Sequence, residues 1–284
     1  MFKCNKDLKV EHCFTEVAGL KWHWVEAGSG QPVVLIHGLP ESWYAWRNQI
    51  PALSKHFRLI VPDLKGYGQS DKKDGDYSAP NCSRELLDLF DDIGLESFSL
   101  ASHDWGTVVG RLIAMNHPNR IRKFIHMSAQ VWHYDPALVP HHKLLKDQKV
   151  ATTVMRDTER FIRGIFSRVT KRGLDSFTEE EIKTTIEEFS RPGTAEAVPR
   201  YFRDGVSDDV QAGLRSLPWH KLTMPVLVVQ PDSDPLQPLY QFENVAEVIP
   251  GCEKLVVIKD SGHFTPAEQP EQVNRVMFEF FLKE

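Results

Sequence analysis

A series of short, unbroken apolar runs separated by helical stretches constrains the fold more than any other feature. Pro32-Val33-Val34-Leu35-Ile36 carries no polar position. A strand with one wet face would alternate, so such a run implies burial on both faces, as in a parallel sheet covered by helices. Strand character recurs at 57–61, 98–101, 121–127, 225–229 and 254–258, and 9–27 reads as two strands turned at Ala18-Gly19. Helices are expected over about 43–54, 81–93, 107–117 and 270–282. The strand runs stop between 131 and 219. There, 152–166 and 178–189 have helical apolar spacing, and Thr178-Glu179-Glu180-Glu181 reads as a capped helix start. Arg191-Pro192-Gly193 breaks the chain before another helix from Thr194. This pattern predicts an α/β fold with a mostly parallel eight-stranded sheet, helices on both faces, and an inserted helical cap. Residues 1–130 and 220–284 would form the core and 131–219 the cap.

The 284 residues suffice for such a domain with its insertion. A net charge of −5, from 39 acidic and 34 basic residues, leaves no basic footprint for nucleic acid. Mean hydropathy is −0.35, and no apolar run approaches the ~20 residues that span a bilayer. The first residues lack the apolar centre of a signal peptide. Cys4, Cys13, Cys82 and Cys252 are scattered without metal-ligand spacing. They read as free thiols of a cytoplasmic protein, with no metal or cofactor expected.

The chemistry concentrates at Ser102-His103-Asp104-Trp105-Gly106, between a strand and a helix. A sharp strand–turn–helix that exposes its middle residue needs small neighbours two before and two after, which Ser102 and Gly106 supply. A plainer reading of Asp104 is a helix N-cap. As a nucleophile, a carboxylate attacks carbon and leaves an alkyl ester that water must hydrolyse. That chemistry fits epoxide opening or halide displacement and not ester cleavage. Asp232-Ser233-Asp234 and His263 follow later strands, giving the chain order nucleophile, acid, histidine.

With His37-Gly38-Leu39-Pro40-Glu41-Ser42-Trp43, Asp63-Leu64-Lys65-Gly66-Tyr67-Gly68-Gln69-Ser70, the Asp104 elbow and Gly262-His263-Phe264 in view, the chain resembles the epoxide hydrolase branch of the α/β-hydrolase superfamily. It is similar to the hydrolase domain of soluble epoxide hydrolases over nearly its whole length. The resemblance implies Asp104 as nucleophile, His263 as the base that activates water, and Asp234 as its acid. Asp232 stays the alternative, because Pro231 stands where glycine is usual. The resemblance further implies an oxyanion hole from the Leu39 and Trp105 backbone N–H groups, and His37, Pro40, Trp105 and Tyr201 beside a small apolar epoxide. His37-Gly38-Leu39-Pro40 also reads as a tight turn, with room for a cis Leu39–Pro40 bond.

Epoxide hydrolases of this kind hold the departing oxygen with two cap tyrosines. Tyr201 matches the second, but no tyrosine occurs between Tyr134 and Tyr201. Pro140-His141-His142-Lys143 occupies that stretch, with His142 favoured over His141 as the other donor. Haloalkane dehalogenation is the rival reading. Trp105 would supply one halide donor, Leu39 stands where an asparagine would supply another, and cap tryptophans such as Trp132 keep the option open. The arginines of fluoroacetate dehalogenases find Trp105 and Thr107-Val108 at their positions. A non-catalytic receptor using the same pocket is the third reading. His103 is expected to be packed, and 179–188 to be a solvated helix face.

Overall fold

A computed structural model describes residues 8–131, 135–205 and 217–283. Cys4, Trp132 and Tyr134 lie outside the described residues. Eight strands form one sheet: β1 Glu11–Val17, β2 Leu20–Ala27, β3 Gln31–Ile36, β4 Phe57–Pro62, β5 Phe98–His103, β6 Ile121–Met127, β7 Val226–Pro231 and β8 Cys252–Ile258. Their order is β1-β2-β4-β3-β5-β6-β7-β8. The β1–β2 and β2–β4 pairs are antiparallel, and every pair from β4 to β8 is parallel.

The apolar runs are buried on both faces, as their composition requires. Val34 and Ile36 of β3 face a core that includes Leu86 and Phe90 of the helix Ala79–Asp92 and Val109 and Ile113 of Trp105–Asn116. Val33 and Leu35 face the opposite core, with Trp46, Leu53 and Val273, Met277 and Phe281 of the helix Pro270–Leu282. The pleat thus sends successive side chains to two separate cores.

Six α-helices stand between β6 and β7 among the described residues: Pro140–Leu145, Gln148–Arg156, Thr158–Val169, Glu179–Phe189, Thr194–Ala197 and Pro199–Gly205. Thr178 and Glu181 form the expected capping box. Phe166, Tyr201 and Phe202 of this insertion share one core with Trp105 and Phe264. The expected solvated face is not uniform, since Glu181 pairs with Arg47 at 2.8 Å and so ties the insertion to the core.

Three helices are more broken than their periodicity suggests. The stretch 43–54 splits into a 3-10 turn, Trp43–Trp46, and a short helix, Ile50–Leu53. Pro51 lacks the N–H that would continue a single helix. Residues 152–166 fall in two helices because Asp157 leaves the helical region, at φ −82° and ψ 67°. The helix from Thr194 stops at Ala197, and Pro199 opens the next.

Candidate active site

Parallel strands deliver their C-terminal ends to one edge of the sheet, where ligand sites of such folds lie. Asp104 follows β5 and takes φ 52°, ψ −124°, a left-handed conformation rare for a residue with a side chain. Its neighbours must be small for a measurable reason. A Cβ on Gly106 would stand 2.4 Å from the His37 carbonyl oxygen, and one on Gly38 would stand 2.4 Å from the Asp104 Cβ. Asp104 does stand at the N-cap position of that helix, but its side chain makes no capping hydrogen bond of the kind the plainer reading requires.

The Asp104 carboxylate is held at both oxygens. The Leu39 N–H donates to Oδ1 at 2.9 Å, and His263 Nε2 lies 3.2 Å from Oδ2. His263 Nδ1 lies 2.8 Å from Oδ2 of Asp234. Burial alone would raise the Asp104 pKa. The His263 hydrogen bond and charge, the His103 ring and the Trp105 backbone N–H outweigh it and hold the carboxyl at about 2. Burial would likewise lower His263, but the charge of Asp234 and the hydrogen bonds to both carboxylates raise it well above the ordinary histidine range. The two carboxylates thus favour the protonated form of His263.

Asp234, and not Asp232, faces His263. Asp232 accepts from the Asp260 and Ser261 backbone N–H groups at 3.2 and 3.4 Å and so shapes the loop before His263. Asp234 also accepts at Oδ1 from the Leu236 N–H at 2.8 Å, which fixes its carboxylate.

Other buried groups position these residues. Glu268 is 1% exposed and accepts from the Gly262, Phe264 and Lys171 N–H groups, gripping the His263 loop from both sides and joining it to the insertion. Its spacing of five residues from His263 was the only trace of this in the sequence. His103 is packed as expected, and its Nε2 donates to the His263 carbonyl at 2.8 Å. Asp63 accepts from His23 Nδ1 at 2.6 Å and from the Trp43 and Gln69 N–H groups at 2.8 Å, which ties the two glycine-bearing loops together. Glu41 is buried, and that burial raises its pKa to about 7 despite the nearby Arg47 charge.

A cavity of about 530 Å³ lies over Asp104. Leu39, Trp105 and His263 line it from the sheet side, and His141, His142 and Phe202 are among its lining residues from the insertion. Three expected lining residues are elsewhere. His37 is fully buried, with Nδ1 donating to the Gly38 carbonyl at 2.9 Å and Nε2 accepting from the Leu64 N–H at 3.0 Å. It pins the turn that carries Leu39 and has no nitrogen left for substrate. Pro40 is buried in that turn, after a cis Leu39–Pro40 bond. Tyr201 is 0% exposed, and its hydroxyl donates to the Lys65 carbonyl at 2.7 Å among the rings of Tyr67, Tyr77 and Trp105. Adjacent helical residues point about 100° apart, so Phe202 takes the cavity side and Tyr201 the packed side. Among the described residues no tyrosine lines the cavity.

His141 and His142 do line it, with ring centroids 4.6 Å apart. Burial lowers both, His142 to about 3. His141 senses the charges of both Asp104 and His263, whereas His142 senses His141, Asp104 and Lys146.

The described residues contain no helix long and apolar enough to cross a membrane and no cluster of side chains able to hold a metal. A family model for the α/β hydrolase fold matches residues 31–270. The soluble epoxide hydrolase of Corynebacterium sp. (strain C12) is 26% identical over 287 residues, covering 96% of this chain and 98% of that protein. Epoxide hydrolase 3 of Siraitia grosvenorii is 27% identical over 321 residues, covering 97% of this chain and 99% of that protein. The solved structure of epoxide hydrolase CorEH without ligand matches with a TM-score of 0.84 at 25% identity, covering 96% of this chain and 99% of that one. With its eight-stranded sheet, its strained aspartate after β5 and a family match that spans most of its length, the chain belongs to the α/β-hydrolase fold family.

Proposed function

We propose that this chain is an epoxide hydrolase that opens an epoxide to a vicinal diol through an ester on Asp104. One observation carries the reading: the Asp104 carboxylate has one oxygen on the Leu39 N–H and the other against a histidine backed by Asp234. The similar proteins bear epoxide hydrolase names. In this reading 1–130 and 220–284 form the catalytic core, and 131–219 is a cap that closes the cavity. A cytoplasmic location rests on the scattered cysteines of the sequence.

Oδ2 of Asp104 attacks a ring carbon, the carbon–oxygen bond of the ring breaks, and the oxygen becomes an alkoxide. His141 and His142, kept neutral by burial, offer N–H donors to it. Esterification removes the Asp104 charge, and with it two of the contributions that raise the His263 pKa. His263 then yields its proton to the alkoxide and becomes a base. It takes a proton from water as the hydroxide adds to Cγ. The Leu39 and Trp105 N–H groups hold the resulting oxyanion. Collapse expels the second diol oxygen, which takes the remaining proton. Asp104 returns as carboxylate and His263 as imidazolium.

A single turnover in ¹⁸O-water tests this. The label should enter Asp104, and the first diol released should be unlabelled. His263→Gln should accumulate the mass of one substrate on the peptide holding Asp104, with turnover reduced by about 10²–10⁴-fold. Label in the first diol, or adduct on another residue, would refute the ester route. Release of halide from haloalkanes without epoxide opening would transfer the assignment to dehalogenation.

A further inference from the structure

The cavity over Asp104 contains a charged group without a counter-charge among the described residues. Arg111 lies on the helix Trp105–Asn116, seven residues beyond Asp104, hence two turns along on nearly the same face. It lines the cavity and is 5% exposed. Nη1 donates to the Gln130 carbonyl at 2.6 Å, and the guanidinium sits 5.5 Å from the Trp219 ring centroid. Nε is buried with no partner among the described residues. Burial lowers the Arg111 pKa to about 10, and no carboxylate contributes to offset that shift. His126, which feels the Arg111 charge, makes no counter-ion, because burial and that charge lower its pKa to about 3 and leave it neutral. Asp104 is the only acid among the described residues that line the cavity, and His263 already balances it.

A guanidinium stays protonated at neutral pH, and burying it unpaired is unfavourable. Its planar fork matches a carboxylate at two points. Arg168, exposed on the helix Thr158–Val169, adds positive charge to the same cavity. Apolar Val108 lies on the lining between Asp104 and Arg111. We propose that Arg111 anchors a carboxylate carried by the substrate, so that the site selects epoxides bearing an acid group over neutral ones. This rests on the reading of Asp104 as the nucleophile of an epoxide hydrolase, and it replaces the expectation of a purely apolar substrate. The two residues are roughly 10 Å apart along the helix. The oxirane and the acid are therefore separated by an apolar spacer of several bonds, and an acid with its reactive carbon next to the carboxylate is too short.

The test uses ω-epoxyalkanoates of graded chain length and their methyl esters. At the best length, kcat/KM for the acid should exceed that for the ester by about 10–100-fold, the worth of a charged hydrogen-bonded pair. Arg111→Met should bring the ratio near one, and Arg111→Lys should retain part of it. Equal rates for acid and ester, or a ratio untouched by Arg111→Met, would overturn the anchor. A ratio lost in Arg168→Met but kept in Arg111→Met would do the same. Unreactive ω-phenylalkanoates and their amides give a second arm on the unaltered protein, independent of turnover and of how the variants fold. The acids should raise its melting temperature more than the amides, and equal shifts would overturn the anchor. If no epoxide is opened but the acids still bind preferentially, the epoxide reading fails while the anchor stands.

Discussion

The two walls of the cavity are built on different principles. On the sheet side, the groups that carry the proposed chemistry are held by backbone and by buried polar partners. Asp104 is held by the Leu39 N–H and His263, His263 by Asp234, and the His263 loop by Glu268. On the insertion side the wall is mostly side chains on short helices, and its polar members, His141, His142 and Arg168, stand among apolar residues such as Leu145, Phe161 and Phe202. The sheet wall can therefore keep one geometry for one reaction, because each orientation is set by several bonds at once. The insertion wall can change its contents without disturbing that geometry.

The largest effect expected on this contrast lies in the sheet wall. Asp234→Asn should lower turnover by about 10²–10⁴-fold, because the imidazolium loses its fixed carboxylate. Asp232→Asn should cost less than about tenfold, since it shapes only the loop. Steady-state rates, with circular dichroism to verify folding, check the order. Equal losses would show that the loop and the pair act as one unit.

A smaller effect belongs to the insertion wall. His141→Gln should slow ester formation by about 5–100-fold, the cost of one lost donor in the transition state. His142→Gln should lose less, because His141 senses the charges of both Asp104 and His263. Tyr201→Phe should leave the rate within about threefold while lowering stability by about 0.5–1.5 kcal/mol, for the hydroxyl bond to the Lys65 carbonyl. Rapid-quench measurement of the adduct, beside thermal melts, separates the two kinds of effect. A large rate loss in Tyr201→Phe would return that tyrosine to the catalytic wall.

A third effect falls on stability and leaves the rate aside: a pH dependence on the sheet side. Glu41 ionises at about 7 in the fold, above its ordinary 4.5, because it is buried. Below about pH 4.5 it is protonated in both folded and unfolded chains and contributes no difference. Between there and pH 7 the unfolded chain ionises first, so stability should fall as pH rises, by roughly 3 kcal/mol in all, and then level off. Glu41→Gln should flatten that part of the curve in denaturant titrations at several pH values. A slope unchanged by the substitution would assign it to another group.

What the sequence determined by itself is what a few neighbouring residues can decide. The buried strands were legible because an apolar run without alternation has few other uses, and the Asp104 turn because only small neighbours fit around its strained backbone. The capping box at Thr178 and Glu181 is local in the same sense. The helix breaks at Asp157 and before Pro199 were missed because apolar periodicity runs on through them. Tertiary structure alone decided the rest. Asp234 and Asp232 are two residues apart, and only the path of the loop turns one toward His263. Tyr201 and Phe202 are adjacent, and the rotation of their helix, set by packing against Tyr67, Tyr77 and Trp105, puts the tyrosine in the core and the phenylalanine at the cavity. Arg111 reads as any helical arginine until the fold shows that, among the described residues, no carboxylate meets it. Whether a side chain faces a cavity, a partner or nothing depends on residues far away in the chain, and no short stretch of sequence contains that information.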